Sequence, residues 1–296
     1  MDVLLSGQLL FAALITGALY ALIALGLNLV YGTMRLLNVA HGDLVMIGAY
    51  VAFWGLTLFG LSPIAGLVVA AAAGALLGWL TYLGLFRRLL ASPQLMRRLE
   101  GNSLLLFFGI SVILQNLAAM AFTASARGYQ FMDQVYRFGD VALTGNRIFV
   151  LVTAVTICAA VYLLLRFHVF GLAIKALIER RDAAVIVGVD IDRVQIAAIC
   201  LGFAIAAIAG VLVSTTEQIS PFMGFPFTIS AFVVIILGGL GNITAGLIAG
   251  LLLGVLEVYG VALTSAAYRS VLIYGVFIGI LLIRPQGLLG RGSVVR

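Results

Sequence analysis

The chain has 296 residues, of which 64% are apolar and only 9% charged, and its formal net charge is +6. A water-soluble domain normally has about 25% charged residues, so this composition excludes a fold that faces water on all sides. The basic residues lie in short gaps between apolar runs, without interleaved aromatic residues, so we expect no nucleic-acid partner. The chain is predicted to form a single domain, residues 1–296, in a lipid bilayer.

Apolar runs of about 20 residues, the length that a helix needs to cross a bilayer, recur along the chain. They lie at 8–30, 44–61, 63–86, 103–122, 148–165, 194–216, 244–262 and 269–283, with a shorter run at 227–237. The predicted fold class is therefore an all-α polytopic membrane protein with eight or nine transmembrane helices. Polar and glycine-rich interruptions predict a broken or re-entrant helix near 30–45 and another near 225–245.

Lys and Arg residues in short loops mark the cytoplasmic side of a membrane protein. Most of the basic residues of this chain fall in the regions 87–98, 166–193 and 284–296. The stretch 123–146 instead balances two Arg residues with two Asp residues, and we assign it to the outer side. The C-terminus is therefore expected to be cytoplasmic.

The first interruption, near residues 30–45, is polar and contains glycine. Asn28, Asn38, His41 and Asp43 lie in it or at its edge. Unwound backbone at membrane depth is tolerated only inside the protein or against water, so these residues are candidates for a polar translocation route. The alternative is an ordinary cytoplasmic turn in which Asp43 caps the following helix, and the residues leave both interpretations open.

An acidic residue, Glu257, lies well inside an apolar run. Intramembrane carboxylates are costly and usually face the interior of the helix bundle, so we expect Glu257 to support the packing around the route. The same run carries Gly246, Gly250 and Gly254 at intervals of four, a spacing that lets helix backbones approach closely. These glycines pack either within the chain or against a partner subunit.

No constellation of side chains typical of an enzyme is present. His41 and His168 are the only histidines, and the glycine-rich stretch 238–242 lacks the Lys-Ser/Thr pair that follows a phosphate-binding loop. We therefore expect no catalytic site, no metal site and no ATP binding by this motif. Gly-interrupted segments in both halves of a chain are instead typical of a transport site at the interface of two repeats.

The segment 168–193 is long for a loop and alternates in charge. Leu172, Ala176 and Leu177 would lie on one face of a helix with the charged residues opposite, which predicts a short amphipathic helix at the cytoplasmic surface. Such a helix could lie on the membrane or dock into a groove of a soluble partner. The alternative is a solvated connector.

Three blocks of sequence carry a recognisable pattern. The first consists of Gly26, Leu27, Asn28, Tyr31, Gly32, Asn38, Ala40, His41, Gly42, Asp43, Gly48 and Tyr50. The second consists of Phe170, Gly171, Lys175, Ala176, Glu179, Ala183, Ala184, Gly188, Asp192 and Arg193. The third consists of Gly238, Gly239, Gly241, Asn242, Gly246, Leu256 and Glu257, followed near the C-terminus by Arg284, Pro285, Gly287 and Gly290. With these blocks in order, essentially the whole chain resembles the shorter, LivH-type permease subunits of branched-chain amino acid ABC importers.

This resemblance implies a permease that moves branched-chain amino acids or related small polar solutes across the bacterial inner membrane. The implied partners are a second, related permease subunit, two cytoplasmic ATPases that bind ATP and Mg, and an extracytoplasmic solute-binding protein, with no cofactor in this chain. The second block would be the loop that engages an ATPase. The alternative function is a stand-alone secondary transporter or channel, which would need its own ion-coupling site. Acidic residues inside the spans are almost limited to Glu257 and Asp43.

Overall fold

The computed structural model describes residues 6–87, 99–139, 141–283 and 287. Some of the residues used above to assign the membrane sides or the resemblance lie outside the described residues, namely Arg88, Arg97, Arg98, Asp140, Arg284, Pro285, Gly290, Arg291 and Arg296. The helices are α1 (Gly7–Met34), α2 (His41–Phe59), α3 (Pro63–Thr81, continued by a π-helical turn Tyr82–Phe86), α4 (Leu99–Phe122), α5 (Gly145–Phe167), α6 (Val169–Glu179), α7 (Arg181–Ile186), α8 (Ile191–Ser214), α9 (Gly224–Gly238), α10 (Ile243–Leu263) and α11 (Arg269–Ile283, preceded by a 3-10 turn Ala266–Tyr268). Two short antiparallel strands, β1 (Val135–Phe138) and β2 (Val141–Thr144), form a hairpin between α4 and α5.

Eight helices in the described part of the chain are long and apolar enough to cross a membrane, and α9 is a shorter apolar helix. The prediction of an all-α polytopic fold with eight or nine transmembrane helices is therefore confirmed. The expected break near 30–45 lies at 35–40, between α1 and α2. The second break lies at 215–223, just before the expected range, and a further turn at 239–242 lies within that range.

Capping side chains and left-handed backbone geometry mark where several of the long helices begin and end. Ser6 accepts a hydrogen bond from the Leu9 amide at the start of α1, and Asn242 accepts one from the Ala245 amide at the start of α10. These are N-caps, which pair backbone N–H groups that a helix leaves free. At the other end of α1, Arg35 takes a left-handed conformation with φ 56° and terminates the helix.

The bundle has a buried centre and an apolar outside. Most of α1, α2, α8 and α9 is buried, whereas α4, α5 and α11 each expose one face. The exposed side chains on these outer helices are large and apolar, such as Leu105 and Met120 on α4 and Leu282 on α11. Such a surface is stable against lipid but not against water, since in the membrane the tails are as apolar as leucine.

The central crossing of α1 and α8 depends on glycine. A Cβ atom at Gly26 would lie 2.5 Å from the Gly202 carbonyl oxygen, and one at Gly202 would lie 2.6 Å from the Gly26 carbonyl oxygen. The two helices run antiparallel, because the Gln195 side chain near the start of α8 donates to the Thr33 carbonyl near the end of α1. Direct backbone contact of this kind is possible only where no side chain intervenes.

Two three-helix units pack around this crossing in the same way but with inverted direction. In the first half of the chain α3 runs along α8, with Gly74 against Phe203. In the second half α10 runs along α1, with Gly250 against Ala21. Likewise α2 packs on α8 and α9 on α1. The chain therefore contains an inverted structural repeat, α1–α3 and α8–α10, of the kind found in many transporters.

The bundle has two distinguishable ends. Gly7 at the start of α1 packs against Val141 of β2, and Gly32 near the end of α1 packs against Ile178 of α6. We call these the hairpin end and the α6–α7 end. Basic residues concentrate in the segment at the α6–α7 end, as in the loops that face the cytoplasm.

Replacing Gly250 by leucine should destabilise the chain strongly. A Cβ at Gly250 would lie 2.5 Å from the Ala21 Cα atom, so α1 and α10 would have to separate along their contact. Overpacking of this kind costs about 1–3 kcal/mol or more. The matched control is Gly109→Leu on α4, where no described atom lies within 4 Å of an added Cβ. Thermal unfolding of the detergent-purified chain checks this, and equal melting temperatures for the two variants would contradict it.

Candidate functional site

The polar break at 35–40 returns the chain into the middle of the bundle, where α2 begins. His41, the first residue of α2, is fully buried, and its Nε2 atom donates to the Ile23 carbonyl oxygen at 2.9 Å. Ile23 lies near the middle of α1, so α2 starts about halfway through the bundle. The start of α9 meets it there, since an added Cβ at Gly42 or Gly224 would collide with the backbone of the other. Two helix N-termini therefore meet inside the bundle.

Thr228 of α9 joins these two N-termini. Its hydroxyl accepts a hydrogen bond from the Gly42 amide at 2.8 Å and donates to the Val39 carbonyl at 3.1 Å. These bonds satisfy backbone groups that the interrupted helix leaves free. Nothing in the local sequence around Thr228 indicated this role, because it depends on a residue about 190 positions away in the chain.

A polar face of α4 covers the other side of the break. Gln115 donates to Asp43 Oδ1 at 3.0 Å and to Ser111 at 3.1 Å, and the Leu37 amide donates to the Ser103 hydroxyl at 3.1 Å. Asp43 lies in the first turn of α2, where the partial positive charge of the helix N-terminus stabilises a carboxylate. The sequence identified Asp43 as a candidate, but not its partner Gln115 on α4, because Gln115 is a single polar residue within an apolar span.

Asn38 stands apart from these satisfied groups. It is fully buried, and neither its Nδ2 nor its Oδ1 atom has a hydrogen-bond partner among the described residues; the same holds for Nδ1 of His41. Leaving such a group unpaired costs about 1–3 kcal/mol. Packing alone therefore does not explain why polar side chains occupy this point of the bundle.

Asn28 has a different environment. Its Oδ1 atom accepts from the Gly241 amide at 2.9 Å and its Nδ2 atom donates to the Asn242 carbonyl at 3.0 Å. Both ends of the amide thus bind the turn between α9 and α10. Glycine at 241 is required by its φ of +83°, in the left-handed region that other residues avoid. In this structure Asn28 ties α1 to that turn.

Glu257 of α10 contacts Tyr20 of α1, which lies about two helical turns from Asn28 toward the hairpin end. It accepts a hydrogen bond from the Tyr20 hydroxyl and forms an ion pair with Arg269, whose Nη2 atom also donates to Tyr20 at 3.4 Å. The carboxylate is nearly fully buried and is fully paired. It joins α1, α10 and α11 inside the bundle.

The three glycines of α10 face the chain itself. Added Cβ atoms at Gly250 and Gly254 would overlap the backbone of α1 at Ala21 and Gly17, and one at Gly246 would lie 3.0 Å from Nδ2 of Asn28. Of the two interpretations of this pattern, packing within the chain is the one that the structure contains.

The segment 168–193 forms two short helices, α6 and α7, rather than an unstructured connector. Gly171, Ile174 and Leu177 of α6 and Ala184 of α7 are buried against the bundle. The residues of this segment that the resemblance assigns to ATPase contact are otherwise exposed or, for Phe170, partly buried; the exposed ones are Lys175, Glu179, Ala183, Gly188, Asp192 and Arg193. Of the two interpretations, the structure contains the helix, but its buried face differs from the predicted one, because Leu172, which the spacing placed on the apolar face, is exposed.

Ile178 connects α6 to the membrane-spanning part. Its side chain lies 2.9 Å from the position of an added Cβ at Gly32 and 3.4 Å from that at Gly241. A second connection joins α3 to α8, where the Tyr82 hydroxyl lies 3.2 Å from both Asp192 and Gln195. Sequence reasoning missed Ile178 and Tyr82, since each looks like an ordinary apolar or aromatic packing residue.

The arrangement so far defines a polytopic helical membrane protein with two inverted units, broken helices that meet mid-bundle, and no group of three or more potential metal ligands in the described ranges. Comparison with known proteins gives the family. A family model described as the branched-chain amino acid transport system permease component matches residues 9–281, and the chain belongs to this family.

Individual relatives align with nearly all of this chain. The chain is 32% identical to the high-affinity branched-chain amino acid transport system permease protein LivH of Salmonella typhimurium, over 97% of this chain and 96% of that protein. It is 30% identical to the corresponding permease protein BraD of Pseudomonas aeruginosa over the same shares. It is also 30% identical to the permease protein LivM of Escherichia coli, over 92% of this chain and 68% of that protein. No solved structure matches the chain.

Replacing Asn28 by leucine should lower the melting temperature of the purified chain. The change leaves the Gly241 amide without its partner, whereas the Asn242 carbonyl keeps the bond from Gly246. One unpaired buried amide costs about 1–3 kcal/mol. Asn116→Leu is the matched control, because Asn116 is exposed and its side chain donates only within its own helix, to Val112. If both variants have the melting temperature of the wild type, Asn28 does not stabilise the contact between α1 and the α9–α10 turn.

Proposed function

We propose that this chain is a membrane-spanning permease subunit of an ABC importer for branched-chain amino acids. The main support is the match, over nearly the whole chain, to the permease family and to relatives named for branched-chain amino acid transport. The inverted repeat with helix breaks at its centre supports the proposal, since transport sites in such folds lie where broken helices meet. A stand-alone secondary transporter would need its own ion-coupling site, and the buried acid Glu257 is already paired with Tyr20 and Arg269.

The relatives of this chain support the proposed partners to different extents. It matches both LivH and LivM, two permease proteins of branched-chain amino acid transport, which supports pairing with a second, related permease. We propose two cytoplasmic ATPases, which bind ATP and Mg and perform the hydrolysis, and an extracytoplasmic solute-binding protein. The bacterial inner membrane is the proposed location, with the α6–α7 end and the C-terminus in the cytoplasm and the hairpin end outside.

The translocation route is proposed to pass the central break. Asn38, His41 and Asp43 lie there, and the unpaired amide of Asn38 supports contact with water or solute in another conformation. Asn28 and Glu257 border the same region from α1 and α10 and hold the helices that would have to move. A ligand can shift such an equilibrium only through different affinity for the two states.

Coupling to ATP hydrolysis is proposed to enter through α6 and α7. The exposed face carries charges that suit a soluble partner, and next to it Val185, Ile186 and Val187 are exposed apolar residues at the end of α7. Ile178 on the inner side contacts both Gly32 of α1 and the α9–α10 turn at Gly241. A displacement of α6 would therefore press on α1 of the first inverted unit and on the α9–α10 turn of the second.

The assembled transporter should take up leucine only with ATP. When the chain is co-expressed with a second permease and the ATPases, we expect these subunits to co-purify. Proteoliposomes of this complex, given the cognate binding protein and internal ATP, should accumulate radiolabelled leucine, and vesicles without ATP should not. Uptake by the chain alone, without ATP, would instead show a secondary transporter.

Truncating Ile178 to alanine should uncouple transport from hydrolysis. The expected result is about a tenfold fall in uptake per assembled complex, in the usual range of coupling between distant sites, while the ATPases still co-purify. Ile174→Ala is the matched control, because it removes the same atoms from the buried face of the same helix. If both variants lose uptake equally, the loss reflects a destabilised helix and Ile178 has no special role in coupling.

A further inference from the structure

A cavity of about 620 Å³ lies between α2 and α4, in the half of the bundle nearer the hairpin end. Its walls are mainly apolar, with Met46 and Val51 from α2 and Leu114 and Ala118 from α4. Tyr50 and Trp54, which lie one helical turn apart on α2, also line it. The space is large enough for a small amphipathic molecule, in the range usual for ligand pockets.

Three hydrogen-bond donors beside this cavity have no partner. They are the hydroxyl of Tyr50, Nε1 of Trp54 and Nε of Arg127, all buried and unpaired among the described residues. They belong to one cluster, since the Arg127 guanidinium carbon lies 5.2 Å from the centre of the Trp54 ring. The Tyr50 ring stacks on Phe122 at 4.6 Å between ring centres, and the Trp54 ring contacts Phe122 at 5.4 Å in a tilted arrangement.

Arg127 is held in this position by its backbone. Its amide donates to the Ile219 carbonyl at 2.9 Å, and the Ile219 amide donates back at 2.7 Å. Its side chain also donates to Thr123 at 3.4 Å. No carboxylate of the described residues lies within ion-pair distance of the guanidinium. The fixed, partly buried guanidinium therefore lies over the rings of Trp54 and Phe53 and has no anionic partner among the described residues.

The chemistry of these donors limits what can satisfy them. Arginine and the tryptophan indole donate and cannot accept, so their common partner must be an acceptor, and the positive charge favours an anion. The apolar walls next to them favour a hydrocarbon group on the same molecule. A carboxylate that carries a short apolar side chain meets both conditions.

We propose that Tyr50, Trp54 and Arg127 form a carboxylate-binding subsite that receives the amino acid at the hairpin end, with its apolar side chain in the α2–α4 cavity. This inference rests on the proposed function for the identity of the solute. The position supports it, because Met46 lies one turn beyond Asp43 on α2 and Leu114 adjoins Gln115 on α4. The cavity therefore leads from the hairpin end toward the polar break.

The same chemistry could also come from a fatty acid of the membrane, so the test separates the two sources. The assembled complex in lipid nanodiscs is titrated with leucine, with leucinamide, which lacks only the carboxylate, and with oleate. The readout is tryptophan fluorescence of the wild type minus that of the Trp54→Phe variant. We expect a saturable signal with leucine and none with leucinamide. No leucine signal, an equal leucinamide signal, or a signal with oleate alone would overturn the assignment.

Transport by conservative variants gives a second readout. Tyr50→Phe and Arg127→Gln should lower the maximal uptake rate at saturating binding protein by about tenfold, the usual effect of losing a charge-assisted hydrogen bond. Arg147→Gln is the control for charge, since Arg147 is exposed at the same end. Trp79→Phe on α3 is the control for the indole, since its side chain is exposed on the outer surface.

Stability distinguishes this role from a structural one. Tyr50→Phe removes a hydroxyl that has no partner in the described part of the chain, so its melting temperature should equal or exceed that of the wild type while uptake falls. Normal uptake by Tyr50→Phe and Trp54→Phe in a transporting complex would overturn the subsite alone. A wild-type complex that shows the leucine-binding signal but no uptake would refute the proposed function and leave the subsite standing.

Discussion

Backbone amides inside a bilayer have no water to bind, so each must be satisfied within the protein. The break at 35–40 can exist only because neighbouring helices meet this requirement. Ser103 of α4 binds the Leu37 amide, and Thr228 of α9 binds both the Val39 carbonyl and the Gly42 amide. The need to pair these few groups holds α4 and α9 around the start of α2. The remaining polar side chains of the centre are positioned on this frame.

Close approach of backbones is the second condition for this architecture. Between helices in lipid no hydrophobic effect operates, so packing and hydrogen bonds drive association. Glycine at the α1–α8 crossing and along α10 allows both, and it places the two inverted units against each other at the middle of the membrane. The segment that is expected to meet the ATPases lies at one end of this core, and the unpaired donors of Tyr50, Trp54 and Arg127 lie toward the other.

Much of the fold followed from local pattern. Hydropathy located the spans and the interruption near Asn38 predicted the break before α2, whereas for 168–193 the residues left both an amphipathic helix and a solvated connector open. The site was predicted less completely. Asp43 was identified as a polar residue at membrane depth, but its partner Gln115 was not, because that pairing depends on how α4 is rotated toward α2. A single polar residue within an apolar run carries no signal of the helix that it faces.

By itself, then, the amino-acid order determined which segments are apolar enough to enter the bilayer, where the first helix break lies, and which family the chain resembles. These depend on transfer of side chains into lipid and on short-range backbone preference, which act within about 20 residues. Tertiary structure alone decided that Asn28 binds the α9–α10 turn, that Ile178 contacts both inverted units, and that Arg127 lies beside Trp54 at the edge of one cavity. Each of these depends on contacts between distant parts of the chain, whose geometry is set by how whole helices cross.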